Sequence, residues 1–288
     1  MTRLTVLNSM ASADFSESIE IQKSWGIRDL DLRDAILGES INDLSQPTAE
    51  RVRKAIDGSG LEVTCLSSTF FKEDLSKGQD HFVEQHLRKL DSVLAAAQIL
   101  RPRFFRLIAA SLPVDGNGRR LALLEHELAW VVDLYREAVD RIAEAGLRTT
   151  IENEAPNSIF THDDDIIGFF ELLDRPETAS FTWDIQNQWA CGVFPSIEGF
   201  ERLKNLIGYV HVKGGQAEPS GRDLVWAASL EDSDWPVRTI VQAVVDSGIS
   251  PVICLNRPSH GRPKPGYDYE ALTKRDIDFL RSEIIGIE

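Results

Sequence analysis

Eight short runs of β-branched and apolar residues recur along the 288 residues of this chain. They are LTVLN (4–8), IRDLDLR (27–33), LEVTCLS (61–67), FFRLIA (104–109), LRTTIE (147–152), ASFTWD (179–184), IGYVHVK (207–213) and PVICLN (251–256). A longer segment with helical patterning follows each one. Between 80 and 98, Val83, Leu87, Leu90, Leu94 and Ala97 fall on one helical face. A second long helix is read over 121–145, closed by Gly146, and a last one over 270–285. Thr48, Thr161 and Ser196 are the expected N-caps. Eight alternating units predict an α/β chain folded as a (β/α)8 TIM barrel, one domain over 1–288. The competing arrangement is a doubly wound open sheet. No strand leads into GxGxxG or a Walker-type loop, which disfavours it.

Charge narrows the partners. Lys and Arg total 31 against 46 Asp and Glu, a formal net charge of −15. Nucleic-acid backbones and anionic membranes attract clustered positive charge, so neither is expected as a partner. No apolar run has the roughly 18–20 residues of a membrane helix, and the N-terminus lacks the apolar core of a signal peptide. Cys65, Cys191 and Cys254 are odd in number and far apart, which points to a reducing compartment and makes cytoplasm the expected location. GxSxG is absent, so serine-hydrolase chemistry has no support.

A barrel carries its chemistry at the C-terminal ends of its strands. The third run ends in Ser67 and Ser68, and the fourth carries Arg106. The fifth ends in Glu152, followed by Asn153 and Glu154. The sixth ends in Asp184, with Asn187 just beyond; the seventh carries His211 and Lys213, and the eighth ends in Asn256. Glu152 shares parity with Glu154, and His211 with Lys213, so each pair faces one side of an extended chain while Val210 and Val212 face the helices. A Glu, an Asp and a His on three consecutive strands supply two hard oxygen donors and one imidazole. That set suits Mn²⁺, Mg²⁺, Co²⁺ or Zn²⁺.

The order IENE … FTWDIQN … YVHVKGG resembles the xylose-isomerase-like barrel superfamily of sugar and sugar-phosphate isomerases and epimerases. GIRDLDLR, GLEVTCLSS and RPRFFRLIA resemble its second, third and fourth strands. The resemblance implies that Glu152 is a metal ligand and base, that Asp184 and His211 are ligands, and that Asn187 faces substrate. It also implies a small carbohydrate substrate and a homo-oligomer, dimer or tetramer. The pattern breaks at VICLNRPSHG, where Asn256 stands in place of the family's second Glu, and at SLEDSDW (229–235).

Asn256 offers a neutral carbonyl oxygen in place of a carboxylate and cannot abstract a proton. A two-base epimerisation therefore loses a base unless His260 supplies it. Three readings stay open. One is metal-dependent isomerisation or epimerisation through an enediolate, with Glu152 as base and Asn256 as a weak fourth ligand. Another is dehydration or elimination on a polyol or sugar acid at the same site. The third is a non-catalytic sugar-binding barrel. Arg106, Glu154, Asn187, Lys213 and Arg222 would orient substrate. Gly214 and Gly215 with Lys213 and Arg222, and Arg257, Arg262 and Lys264 beyond the eighth run, form a basic cluster suited to an anionic substrate group. Trp183, Trp189 and Trp226 are expected in the core or lining a pocket. His162 with Asp163, Asp164 and Asp165 reads as an acidic first helical turn. His81, His86 and His126 are expected to be solvated on helices, and Cys254 to be a buried inert thiol.

Overall fold

The computed structural model describes residues 1–112, 119–155, 157–217, 224–225, 229–256 and 268–288. Every run read as a strand is one. They form β1 (Arg3–Val6), β2 (Asp29–Leu32), β3 (Glu62–Ser67), β4 (Phe104–Ile108), β5 (Arg148–Glu152), β6 (Ala179–Asp184), β7 (Ile207–Val212) and, after a short antiparallel ribbon of β8 (Gln216–Ala217) and β9 (Leu224–Val225), β10 (Val252–Leu255). The large sheet runs β1-β10-β7-β6-β5-β4-β3-β2, with every pairing parallel. A single parallel bridge, Leu7 to Asp31, joins its two ends. The result is a nearly closed eight-stranded barrel surrounded by helices.

Two layers of core follow from the period of the strands. Outward-facing residues such as Leu107, Ile151, Phe181, Val210, Val212 and Ile253 pack beneath the helices. Inside the barrel, Leu7, Cys65, Phe104, Tyr209, Val252 and Cys254 make a separate plug, with the Phe104 and Tyr209 rings 5.9 Å apart and nearly parallel. Towards the C-terminal ends, the inward positions become polar.

Two register shifts set the final alignment. One lies between Leu30 and Asp31 in β2, the other between Phe181 and Thr182 in β6. The second skips Gly208 and brings Asp184 opposite His211. Gly208 is needed there, because a Cβ on it would run into the Ser180 side chain. A bulge of this kind re-aims the side chains that follow it.

The helices depart from expectation in detail. The segments read over 80–98 and 121–145 are each interrupted by a π-helical stretch, Val83–Leu87 and Leu123–Glu127. Ser45 rather than Thr48 caps its helix, accepting the Thr48 N–H at 3.3 Å. His162 rather than Thr161 is the N-cap before Asp163, while Ser196 caps as read. His86 is buried, not solvated. Its Nδ1 accepts the Phe71 N–H at 3.2 Å, and the rings of Phe70, Phe71 and Phe82 surround it. Helical periodicity could not reveal this, because the neighbouring aromatics come from the loop after β3. No helix among the described residues is long and apolar enough to cross a membrane.

Candidate active site

Glu152 and Asp184 are the last residues of β5 and β6, and His211 is the fifth residue of β7. All three are buried. Asp184 has a double task. Its Oδ1 caps the short helix Ile185–Ala190 by accepting the Asn187 N–H at 2.9 Å. That fixes the carboxylate, and Oδ2 is left to meet the side chains of the next strands. Asn153 braces the same corner, donating to the Asp184 carbonyl at 2.9 Å and accepting its N–H at 2.8 Å. Glu152 Oε1 lies 3.0 Å from His211 Nδ1, which is 3.9 Å from Asp184 Oδ2. Asn256 Nδ2 stands 3.2 Å from His211 Nδ1 and 3.4 Å from Asp184 Oδ2.

Buried carboxylates need compensation, because desolvating an unpaired charge costs several kcal/mol. Two buried cations provide it. Arg106 Nη1 sits 2.5 Å from Glu152 Oε2, and its Nη2 donates to the carbonyls of Ser67 at 3.2 Å and Ser68 at 3.1 Å. Lys213 Nζ sits 2.7 Å from Asp184 Oδ2 and donates to Asn187 Oδ1 at 3.1 Å. Burial pushes the Glu152 carboxyl up, but Arg106 and His211 outweigh it and hold the group well below the usual carboxylate range. For Asp184 burial wins. The carboxyl is raised to about 6, with Glu152 adding to the rise and Lys213 opposing it.

A third carboxylate lies deeper. Asp31 on β2 is fully buried, accepts the Tyr209 hydroxyl at 2.7 Å, and places Oδ2 4.0 Å from His211 Nε2. His211 Nε2 and Asp31 Oδ1 have no hydrogen-bond partner among the described residues. Burial raises the Asp31 carboxyl above its ordinary value. Asp31 thus stands behind His211, on the side of the ring away from Glu152, close enough to interact by charge but without a hydrogen bond to it. The sequence reading missed Asp31. It is the next-to-last residue of β2, and the sequence around it, LDLR, does not say which side of the strand it faces.

The donor set fits a divalent ion. One ligand atom each from Glu152, Asp184 and His211 lies within 4.8 Å of the others. Donors about 2.1 Å from one ion stand roughly 3.0–3.4 Å apart, and the separations at this corner bracket that range. A half-turn of the Asn256 amide would bring Oδ1 to the same corner as a fourth, neutral oxygen. Asp31, His211 and Cys254 form a second group of this size, but it lies in the apolar plug, and burial pushes the Cys254 thiol well above its ordinary value.

The remaining expectations divide. Glu154 lies just past β5, half-buried, paired with Lys72 at 2.6 Å and accepting from Asn187 Nδ2 at 3.3 Å. Asn187 binds Glu154 and Lys213 and also donates to the Asn153 carbonyl at 2.9 Å. Trp183 is buried core, its indole N–H donating to Gln188. His260, Arg222, Arg257, Arg262, Lys264 and Trp226 lie outside the described residues.

A barrel whose fifth, sixth and seventh strands deliver Glu, Asp and His to one mouth defines the class. Residues 23–283 match the family model described as the xylose isomerase-like TIM barrel, and the chain belongs to that family. No curated protein matches it. Solved structures share the fold at low identity. D-psicose 3-epimerase, crystallised with D-fructose, is 15% identical with a TM-score of 0.72, covering 99% of this chain and 100% of that one. The probable 3-DHS dehydratase AsbF from Bacillus anthracis is 16% identical with a TM-score of 0.70, covering 97% and 98%. The IOLI protein with a bound zinc atom is 15% identical with a TM-score of 0.70, covering 98% and 96%.

Proposed function

We propose that the protein is a divalent-metal-dependent isomerase or epimerase of a small sugar or sugar derivative, with one-base isomerisation the favoured chemistry. The observation that carries this is the convergence of Glu152, Asp184 and His211 on one buried corner, with His211 Nδ1 3.0 Å from Glu152 and 3.9 Å from Asp184 and the half-buried Asn256 amide beside them. A divalent ion (Mn²⁺, Mg²⁺, Co²⁺ or Zn²⁺) held by these four would supply a Lewis acid for the substrate's carbonyl and hydroxyl oxygens.

Glu152 is ionised at neutral pH and takes the proton from the carbon next to the carbonyl. Arg106 fixes its second oxygen, so the carboxylate presents one face to the substrate. Arg106 and His211 also make it a weak base. Proton removal therefore depends on stabilising the negative charge that grows on substrate oxygen, and the Lys213 ammonium beside Asp184 contributes to that. Asn256 cannot take a proton from the opposite face. A single carboxylate removes and returns the proton on one side, which suits aldose–ketose interconversion better than two-base epimerisation.

The test is a panel of aldoses and ketoses incubated in D2O with each metal. Deuterium appearing in an isomerised product, and absent with Glu152→Gln, is the expected result. An unsaturated product absorbing in the ultraviolet would assign a dehydratase or lyase instead. Sugar binding by calorimetry without exchange or product would assign a binding protein.

A further inference from the structure

At the opposite end of the barrel, the starts of β4 to β7 border a pocket of about 210 Å³. Three arginines line it: Arg103 just before β4, Arg148 opening β5, and Arg175 in the turn that leads into β6. Phe104, Ser180 and Asn205 contribute the rest of the wall used here. Most arginines of this acidic chain sit on a carboxylate, as Arg53, Arg141, Arg202 and Arg275 do. Arg103 and Arg148 have no ion pair among the described residues. Arg103 lies over the Phe104 ring, 5.4 Å from its centroid, and Arg148 is exposed.

Register brings the two together. Arg148 is the pairing partner of Phe104, so Arg103 is its diagonal neighbour across strands about 4.8 Å apart. Like charges on adjacent strands repel, and the Asp29 carboxylate, which is ion-paired to Arg3, offsets Arg103 only from a distance. Arg175 is held rigidly beside them by two bonds to Asp140, at 2.7 and 3.0 Å, and a third to the Asp174 carbonyl at 2.9 Å. Its charge is balanced by Asp140, so it acts as a fixed wall with N–H groups to spare.

We propose that this pocket is a binding site for a phosphate group, separate from the mouth of the barrel. Two guanidinium groups with no ion pair among the described residues supply planar donors and charge matched to phosphate oxygens. Ser180 and Asn205 add neutral polar groups. The volume is below that of sites for drug-sized ligands, so the anionic group itself is what the pocket recognises. The site is independent of the proposed chemistry at the other end.

Calorimetric titration at low ionic strength tests it, with inorganic phosphate and glucose 6-phosphate as separate probes. The expected result is saturable binding of one ion per chain, weakened at least about tenfold by Arg148→Gln and by Arg103→Gln. Lys54→Gln, an exposed lysine elsewhere, and Lys213→Met, at the mouth, should bind phosphate as the parent does. Tighter binding of the ester would assign an organic phosphate as the source, and equal or weaker binding the free ion. No saturable binding, or binding that survives Arg148→Gln and disappears with Lys213→Met, would overturn the proposal. Both arginines are exposed, so unchanged thermal unfolding of their variants separates lost binding from lost fold.

Discussion

The two ends of the same barrel strands handle charge in opposite ways. At the mouth, Glu152 and Asp184 are buried, and each holds a buried cation, Arg106 or Lys213, within 2.7 Å. At the base, Arg103 and Arg148 are exposed, and neither has a carboxylate partner among the described residues. The difference shows what burial enforces. Buried charge must be matched on the spot, whereas exposed charge is screened by water and can wait for a ligand. Substitutions at the mouth should therefore cost stability as well as activity. Substitutions at the base should cost binding alone.

The largest effect should come from breaking one mouth pair. Arg106→Met leaves Glu152 buried without its cation and should lower unfolding free energy by about 3–5 kcal/mol in urea titrations. Adding Glu152→Met should restore much of that loss while leaving the protein inactive. If Arg106→Met alone is neutral, the mouth is wetter than its burial implies, and the contrast fails.

Activity sharpens the same contrast. Glu152→Gln should reduce turnover about 10²–10⁴-fold and also release the divalent ion, read by elemental mass spectrometry on the purified protein. Turnover lost with metal retained would make Glu152 a base and not a ligand.

A buried group away from both ends supplies a pH test. Burial lowers His86 to about 4 from its ordinary 6.5. A depressed histidine favours the fold only while neutral. Its contribution is complete above pH 6.5 and is lost as pH falls through the window down to about 4, because the unfolded chain takes up the proton first. By pH 5 the loss should be about 2 kcal/mol relative to neutral pH. His86→Gln should flatten the pH dependence of unfolding across this window.

Asn256→Glu asks whether the mouth tolerates another carboxylate. It should tighten divalent-ion binding roughly tenfold by calorimetry and lower stability when the ion is chelated, since a further negative charge then faces Asp184. The smallest effect belongs to the base, where Arg148→Gln should change unfolding free energy by less than about 0.5 kcal/mol.

The strands were legible because their signal is local. LRTTIE and IGYVHV carry β-branched residues, alternation and a terminating polar residue within six positions, and eight such runs leave few architectures. Glu152, Asp184 and His211 were legible for the same reason, since each marks where a strand leaves the barrel. Asn256 announced itself as a departure from the resemblance the other three carried. Asp31 did not, because nothing local separates an acid inside a barrel from one beside a helix. The side it faces depends on the register shift after Leu30 and on partners 178 residues away, such as Tyr209. His86 was misread for a related reason, since its aromatic cage draws on the loop after β3.

Sequence alone therefore determined the alternation of elements and which residues end each strand, because backbone period and strand termini are properties of neighbours along the chain. The tertiary structure decided which cation sits on which carboxylate, that Asp31 stands behind His211, and that Arg103 and Arg148 share a pocket. Those pairings are set by barrel closure and register, which bring distant segments within a few ångströms, where Coulomb and desolvation energies become large enough to matter.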